Sequence, residues 1–239
     1  MRTSWSARAG RTQDTPRIER LYFAEFQTSK LDNASGSTQS SALSANYHWI
    51  WREVDNVLLP TRGLTANLQA AVGRSFGTSV SDASLSGPFG RAYARVTWYQ
   101  PLGNDWYATL RGEAGHVQAA DGVVLPDTLL FRAGGDESVR GYAFRSLGPK
   151  VNNVLFSGKM LLTGSAEIAR PISPKYPAFW WAAFVDAGDA ANRWSDIDVA
   201  AGYGLGLRWR SPVGPLRLDV AYGQKVRAAR LHLSVGIAF

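Results

Sequence analysis

The chain of 239 residues contains no cysteine, which removes disulfide frameworks and thiolate zinc or redox sites. It also lacks any run of about 20 consecutive apolar residues, the length that a membrane-crossing helix requires. The most apolar stretch, AFWWAAFVDA at 178–187, already holds a carboxylate. The opening MRTSWSARAGR brings charge with no apolar segment behind it, so it does not read as a secretory signal, and an exported protein of this kind is expected to have more chain ahead of Met1. Lys and Arg outnumber Asp and Glu by 26 to 19, giving a net charge of +7, but the cations are scattered singly and form no basic run. A nucleic-acid partner is therefore not expected. Three histidines, His48, His116 and His232, lie far apart, and no GxSxG, HExxH or Walker pattern accompanies them. Catalysis, a metal site and a cofactor are not expected.

What the chain has instead is alternation. Hydrophobic residues make up 45% of it and aromatics 12%, interleaved with polar residues rather than gathered in blocks. In LHLSVGIAF, 231–239, apolar residues hold the odd positions and His232, Ser234, Gly236 and Ala238 the even ones. Leu216, Leu218, Val220 and Tyr222 alternate with Arg217, Asp219, Ala221 and Gly223. Over 199–209, Val199, Ala201, Tyr203, Leu205, Leu207 and Trp209 alternate with small residues and Arg208. This period of two marks strands with one greasy face. The same pattern predicts strands at 179–188, 160–171, 106–115, 91–99, 64–73 and 43–52, with weaker ones at 17–27 and 5–10, about eleven in all. In the segment 91–99, Ala92, Ala94, Val96 and Trp98 face one way while Arg91, Tyr93, Arg95 and Thr97 face the other. Charges on alternate positions are costly in a packed sandwich core and cost little in a wet lumen. A soluble β-sandwich would carry Lys, Glu and Thr outside rather than Gly, Ala and single charges.

The connections alternate in length. Short ones are VDNVLLPTRG, QPLGND, RPISPKYP and SPVGP; long ones are KLDNASGSTQSS at 30–41, GRSFGTSVSDASLSGPFG at 73–90 and DAGDAANRWSDID at 186–198. Short periplasmic turns and longer external loops are the arrangement of an outer-membrane barrel. The pattern predicts an all-β, antiparallel up-and-down transmembrane barrel, one domain over 1–239, in contact with outer-membrane lipid and lipopolysaccharide. The longest connection, 119–155, is predicted to be structureless, and loops of that size are commonly functional.

That loop holds LLFRAGGDESVRGYAFRSLGP at 129–149. Gly134, Gly135 and Gly141 allow backbone conformations and close approaches that side chains forbid. Arg140 is a planar five-donor fork suited to carboxylates. By parity Glu167 lies with Thr163 and Ser165, and Asp186 with Ala182 and Phe184; a carboxylate facing lipid would be prohibitive, so both point into the lumen. A loop folded inward lets Arg140 reach both. The bland alternative is that Arg140 pins a plug without taking part in transport.

The run Gly134, Gly135, Asp136, then Val139, Arg140, Gly141, Tyr142, resembles the loop signature of the BamA/TamA outer-membrane protein assembly superfamily, and its extension through Ser146 to Pro149 is closest to the TamA-like branch. GSAEIARPI at 164–172, AFVDAG at 183–188, DNVLLPTRG at 55–63 and SPVGPLRLDVAYG at 211–223 resemble further family patterns, so the likeness covers roughly 55–239. It implies a bacterial outer-membrane barrel, of about sixteen strands when complete, that assists insertion or translocation of unfolded outer-membrane proteins or autotransporters. It also implies periplasmic POTRA domains, absent from this sequence, through which a TamB-type inner-membrane partner would be reached. Leu231, Leu233, Val235, Ile237 and Phe239 would form one lip of a seam that parts, and Phe239 resembles the terminal insertion signal of outer-membrane barrels. Two other readings stand beside this one. A two-partner secretion translocator or passive pore shares the barrel and the RGY-type loop, and a lumen hydrolase would use His48, whose parity is inward with Ser44 and Asn46.

Overall fold

The computed structural model describes residues 2–33, 36–78, 86–211 and 214–236. Its strands are β1 (Arg2–Asp14), β2 (Ile18–Asn33), β3 (Gly36–Val54), β4 (Gly63–Thr78), β5 (Gly87–Gly103), β6 (Trp106–Ala119), β7 (Lys150–Val151), β8 (Val154–Leu155), β9 (Met160–Pro171), β10 (Phe179–Ala191), β11 (Ala200–Ser211), β12 (Gly214–Gly223) and β13 (Ala228–Val235). Eleven of them form one sheet in the order β1-β2-β3-β4-β5-β6-β9-β10-β11-β12-β13, so each strand pairs with its neighbours in sequence. This is an antiparallel up-and-down barrel sheet with β1 and β13 as its terminal strands. No helix among the described residues is long and apolar enough to cross a membrane. Hydrocarbon offers backbone groups no hydrogen-bond partner, so a spanning sheet must satisfy them strand to strand.

The two faces separate as the alternation requires. Leu205, Leu218, Val220, Leu231, Leu233 and Val235 all project outward, exposed, while Ala182, Phe184 and Asp186 on β10 are buried on the opposite face. In register, Leu205 lies opposite Val220 and Leu218 opposite Leu233, which makes a continuous apolar band across the last three strands. Such a band is stable against lipid and unstable against water. Phe179 stacks on Trp209 at 6.0 Å and Tyr203 meets Tyr222 at 5.7 Å on the same face.

The strands run further than the alternation suggests. Of KLDNASGSTQSS, expected as a long loop, residues 30–33 and 36–41 continue the β2–β3 hairpin, with Ser29 opposite Ser40 and Lys30 opposite Gln39, while residues 34–35 lie outside the described ones. Part of 73–90 is likewise strand, through Thr78 and again from Gly87, and residues 79–85 lie outside the described ones. In 186–198, β10 extends to Ala191 and a 3-10 turn occupies Trp194–Asp196. Away from the apolar band both faces of a hairpin can be polar, so the period of two fades while the ladder persists. The connection 119–155 is not wholly structureless: it contains the small β7–β8 hairpin and a bridge between Ala133 and Leu147. At the opposite end, β5 turns into β6 through Asn104 and Asp105, both at positive φ (52° and 62°), as a two-residue hairpin turn demands.

The chain forms two compact units, one from 1–51, 67–94 and 115–131, the other from 52–66, 95–114 and 132–239. In the first, Arg91 donates to the Leu129 carbonyl and to Gln69 Oε1, both at 3.1 Å, and its guanidinium lies 4.8 Å over the Phe131 ring. His48 packs edge-on against Phe23 at 4.9 Å, and no hydrogen bond to its ring is present among the described residues. The second unit contains the RGY motif.

Candidate functional site

The segment 129–149 is a folded hairpin of its own. Ala133 and Leu147 exchange backbone hydrogen bonds at 3.0 and 2.9 Å, the Gly134 N–H reaches Ser138 Oγ at 2.8 Å, and the Gly135 N–H reaches the Val139 carbonyl at 3.1 Å. Asp136 is half-buried at its bend. Val139, Arg140 and Tyr142 are buried, with exposures of 0, 4 and 1%. A tip this polar is buried only because partners await it.

Arg140 makes most of those contacts. Its Nε donates to Asp186 Oδ2 at 2.7 Å and its Nη2 to Asp186 Oδ1 at 2.9 Å, while its own backbone N–H also reaches Oδ2 at 3.0 Å. Nη1 donates to Glu167 Oε2 at 2.9 Å and to Asp219 Oδ2 at 3.1 Å. Ser165 Oγ, 2.6 Å from Asp186 Oδ1, completes that carboxylate's shell. The guanidinium also lies 3.4 Å from the centroid of the Phe184 ring, an attractive placement for a cation. Arg208 answers from the sheet, donating to both oxygens of Glu167 at 3.1 and 2.8 Å and to Asp219 Oδ1 at 2.5 Å. Two guanidiniums thus share three carboxylates. Mutual pairing offsets the large cost of removing these charges from water.

The loop backbone is fitted as closely as its side chains. Gly141 has φ +91°, and its N–H donates to His232 Nε2 at 3.0 Å, which requires that nitrogen to be unprotonated. A Cβ on Gly202 would collide with the Arg140 carbonyl oxygen, so this strand position must be bare for the loop to lie down. The Tyr142 hydroxyl donates to the Ala201 carbonyl at 3.0 Å and accepts from the Lys225 N–H at 3.0 Å. The motif therefore touches β9 (Glu167, Ser165), β10 (Asp186), β11 (Ala201, Gly202), β12 (Asp219) and β13 (His232).

Of the residues singled out from sequence, Arg140, Glu167 and Asp186 lie in one cluster, with Gly134, Gly135, Asp136, Val139, Gly141 and Tyr142 shaping the loop that delivers the arginine. Leu231, Leu233 and Val235 lie apart, on the outward face of β13; Ile237 and Phe239 fall outside the described residues. Sequence reasoning overlooked Asp219, Arg208 and His232. Their inward parity was visible in the alternation, and a search for charged or polar residues on the inner faces of the last three strands would have found them.

Comparison with known proteins gives a consistent result. The model of the Omp85 superfamily domain matches residues 2–239. Among curated proteins, the chain is 34% identical over 107 residues to "Outer envelope protein 80, chloroplastic" of Arabidopsis thaliana, covering 45% of this chain and 14% of that protein. It is 26% identical over 242 residues to "Outer membrane protein assembly factor BamA" of Neisseria meningitidis serogroup B, covering 85% and 29%. The chain thus spans less than a third of the length of either relative. Among solved structures, BamA from Haemophilus ducreyi lacking POTRA domains 1–3 superposes with a TM-score of 0.76 at 20% identity, over 98% of this chain and 53% of that one, a likeness of fold.

Proposed function

Because this chain belongs to the Omp85 superfamily of outer-membrane β-barrels, we propose that it is the barrel part of a device that assists insertion or translocation of other outer-membrane proteins. Its substrates are unfolded polypeptides delivered to the membrane, and its partners are the lipid and lipopolysaccharide around the barrel. The finer part of the proposal is a TamA-like protein acting on autotransporters, supported by the run from Gly134 to Pro149. A TamB-type partner would be engaged through periplasmic domains beyond this sequence.

The observation that carries the reading is the loop that engages every strand from β9 to β13. A plug needs only a seat. Here one arginine bridges Glu167, Asp186 and Asp219, and the adjacent N–H is held by His232 on the terminal strand, so the loop and β13 are mechanically linked. A terminal strand presents unpaired N–H and C=O groups, to which an incoming strand can add by β-augmentation. The work is exchange of backbone hydrogen bonds, with no covalent bond made or broken, so the protein is not an enzyme. The test is assembly of an unfolded autotransporter barrel into liposomes containing the full-length protein. Faster folding than in empty liposomes, lost on Arg140→Ala while the barrel itself stays folded, supports the proposal; ion conduction without any effect on substrate folding would favour a passive pore instead.

A further inference from the structure

His232 lies on the inner face of β13, half-buried, between the outward-facing Leu231 and Leu233. Its Nε2 accepts the Gly141 N–H at 3.0 Å, which joins the loop to the terminal strand. Histidine changes charge between about pH 8 and 5, whereas guanidiniums keep their charge throughout and ordinary carboxylates lose theirs only in stronger acid. A neutral imidazole always has one nitrogen free to accept, and a ring flip can choose which. A protonated imidazole has none, because both nitrogens then carry hydrogen. Charging His232 would therefore set its own N–H against the Gly141 N–H, donor to donor. Gly141 cannot turn elsewhere: it is buried, and a Cβ there would already lie 2.7 Å from the Gly223 nitrogen. A buried donor without an acceptor is unfavourable, so the proton and the hydrogen bond exclude each other.

The charged groups around the ring are Asp136 and Arg140 from the loop, Asp219 directly opposite on β12, and Arg230 on β13 itself. Their charges, two of each sign, largely offset. Asp219 in addition is already held by Arg140 at 3.1 Å and by Arg208 at 2.5 Å, which leaves little of it for an imidazolium. The hydrogen bond to Gly141 therefore decides the balance. By linkage the proton binds best where loop and strand have parted, so their union is complete at neutral pH and lost in acid. Arg140 stays bound to Asp186 and Glu167, so acid cuts the tie to β13 without expelling the loop. Resting on the assembly reading above, we propose that His232 is a proton-operated latch: neutral, it ties the loop to the terminal strand, and charged, it frees β13 while Arg140 keeps the loop seated on β9 to β12.

The test is amide exchange of the full-length protein in nonionic detergent between about pH 7.5 and 5, expressed as protection relative to an unstructured chain so that the pH dependence of exchange itself cancels. Protection of Gly141 and of the β13 amides should fall about tenfold, the worth of a lost acceptor, in a one-proton step that coincides with titration of the His232 ring followed by NMR. Ala133 and Leu147, which bond each other within the loop, should keep theirs. His232→Gln retains an acceptor that cannot titrate, so its protection should stay level, while His48→Gln should follow the parent. An equal fall in His232→Gln and the parent overturns the proposal, and so does unchanged protection of Gly141 while the His232 ring titrates. The ring titration is made on the parent, so it decides even where the variant, checked by heat-modifiable migration, does not fold. Assembly of an autotransporter barrel into liposomes, run in parallel, separates the two readings: assembly without the pH step in protection removes only the latch, and the pH step without assembly removes only the assembly function.

Discussion

The guanidinium of Arg140 and the carboxylate of Asp186 form a two-pronged pair, Nε to Oδ2 at 2.7 Å and Nη2 to Oδ1 at 2.9 Å, with Asp186 fully buried and Arg140 4% exposed. The arginine comes from a loop and the aspartate from β10, 46 residues later, so the pair fastens the loop to the sheet. Glu167 and Asp219 share the same guanidinium, which makes its geometry more demanding than charge alone.

Arg140→Lys is therefore expected to fail almost as badly as Arg140→Ala. An ammonium supplies one point charge and cannot span Asp186 Oδ1 and Oδ2 while also reaching Glu167. Removing one member of a fully buried pair costs about 3 to 5 kcal/mol, and the wet lumen lowers this to about 1 to 3 kcal/mol here. Protease cleavage between 119 and 155 should rise in both variants, and a lysine variant as protected as the parent would show that charge suffices.

Gly202→Val should displace the loop without touching any charged group. Its Cβ would meet the Arg140 carbonyl, backbone that cannot swing aside. Cleavage within 119–155 should then approach that of Arg140→Ala, although the ion pairs' side chains are all present. Unchanged protection would mean that the loop does not rest on β11.

His232→Ala removes the acceptor of the Gly141 N–H on the terminal strand. Leaving a buried donor unsatisfied costs about 1 to 3 kcal/mol. Hydrogen exchange should quicken both at 139–142 and along β13. Faster exchange at the loop alone would separate the loop from the terminal strand.

Acid should loosen the turn at 55–62. Burial tends to raise the Asp55 carboxyl, but the Thr61 hydroxyl and the N–H groups of Thr61, Arg62 and Asn56 all donate to it and together hold its pKa below the ordinary carboxylate value. A depressed pKa contributes stability that is complete above the unfolded value and lost as pH falls through the folded one. Amide exchange at Thr61 and Arg62 should thus be slow at neutral pH and accelerate only below the usual range for aspartate, whereas Asp55→Asn should show little pH dependence there. Loosening already near pH 6 would contradict this.

Much of the fold is legible in the sequence because a barrel strand shows its two faces as a period of two, and Glu167 and Asp186 could be assigned to the lumen since lipid forbids the other choice. KLDNASGSTQSS hid its strands because both of its faces are polar, leaving no period to read. Asp219, Arg208 and His232 escaped for another reason. Parity gives the face of a residue but not its level across the sheet, and their meeting with Arg140 depends on register over five strands and on where one loop tip comes to rest.

Whether Arg140 holds the loop in place through Asp186 is decided by a double-mutant cycle. Arg140→Ala, Asp186→Ala and the double variant of the full-length protein would be compared for unfolding free energy and for the rate at which each assembles an autotransporter barrel into liposomes. The two residues are expected to couple by about 1 to 3 kcal/mol, with the double variant hardly worse than either single one and all three slow in assembly. Additivity within about 0.3 to 0.5 kcal/mol, with assembly as fast as in the parent, would contradict the account.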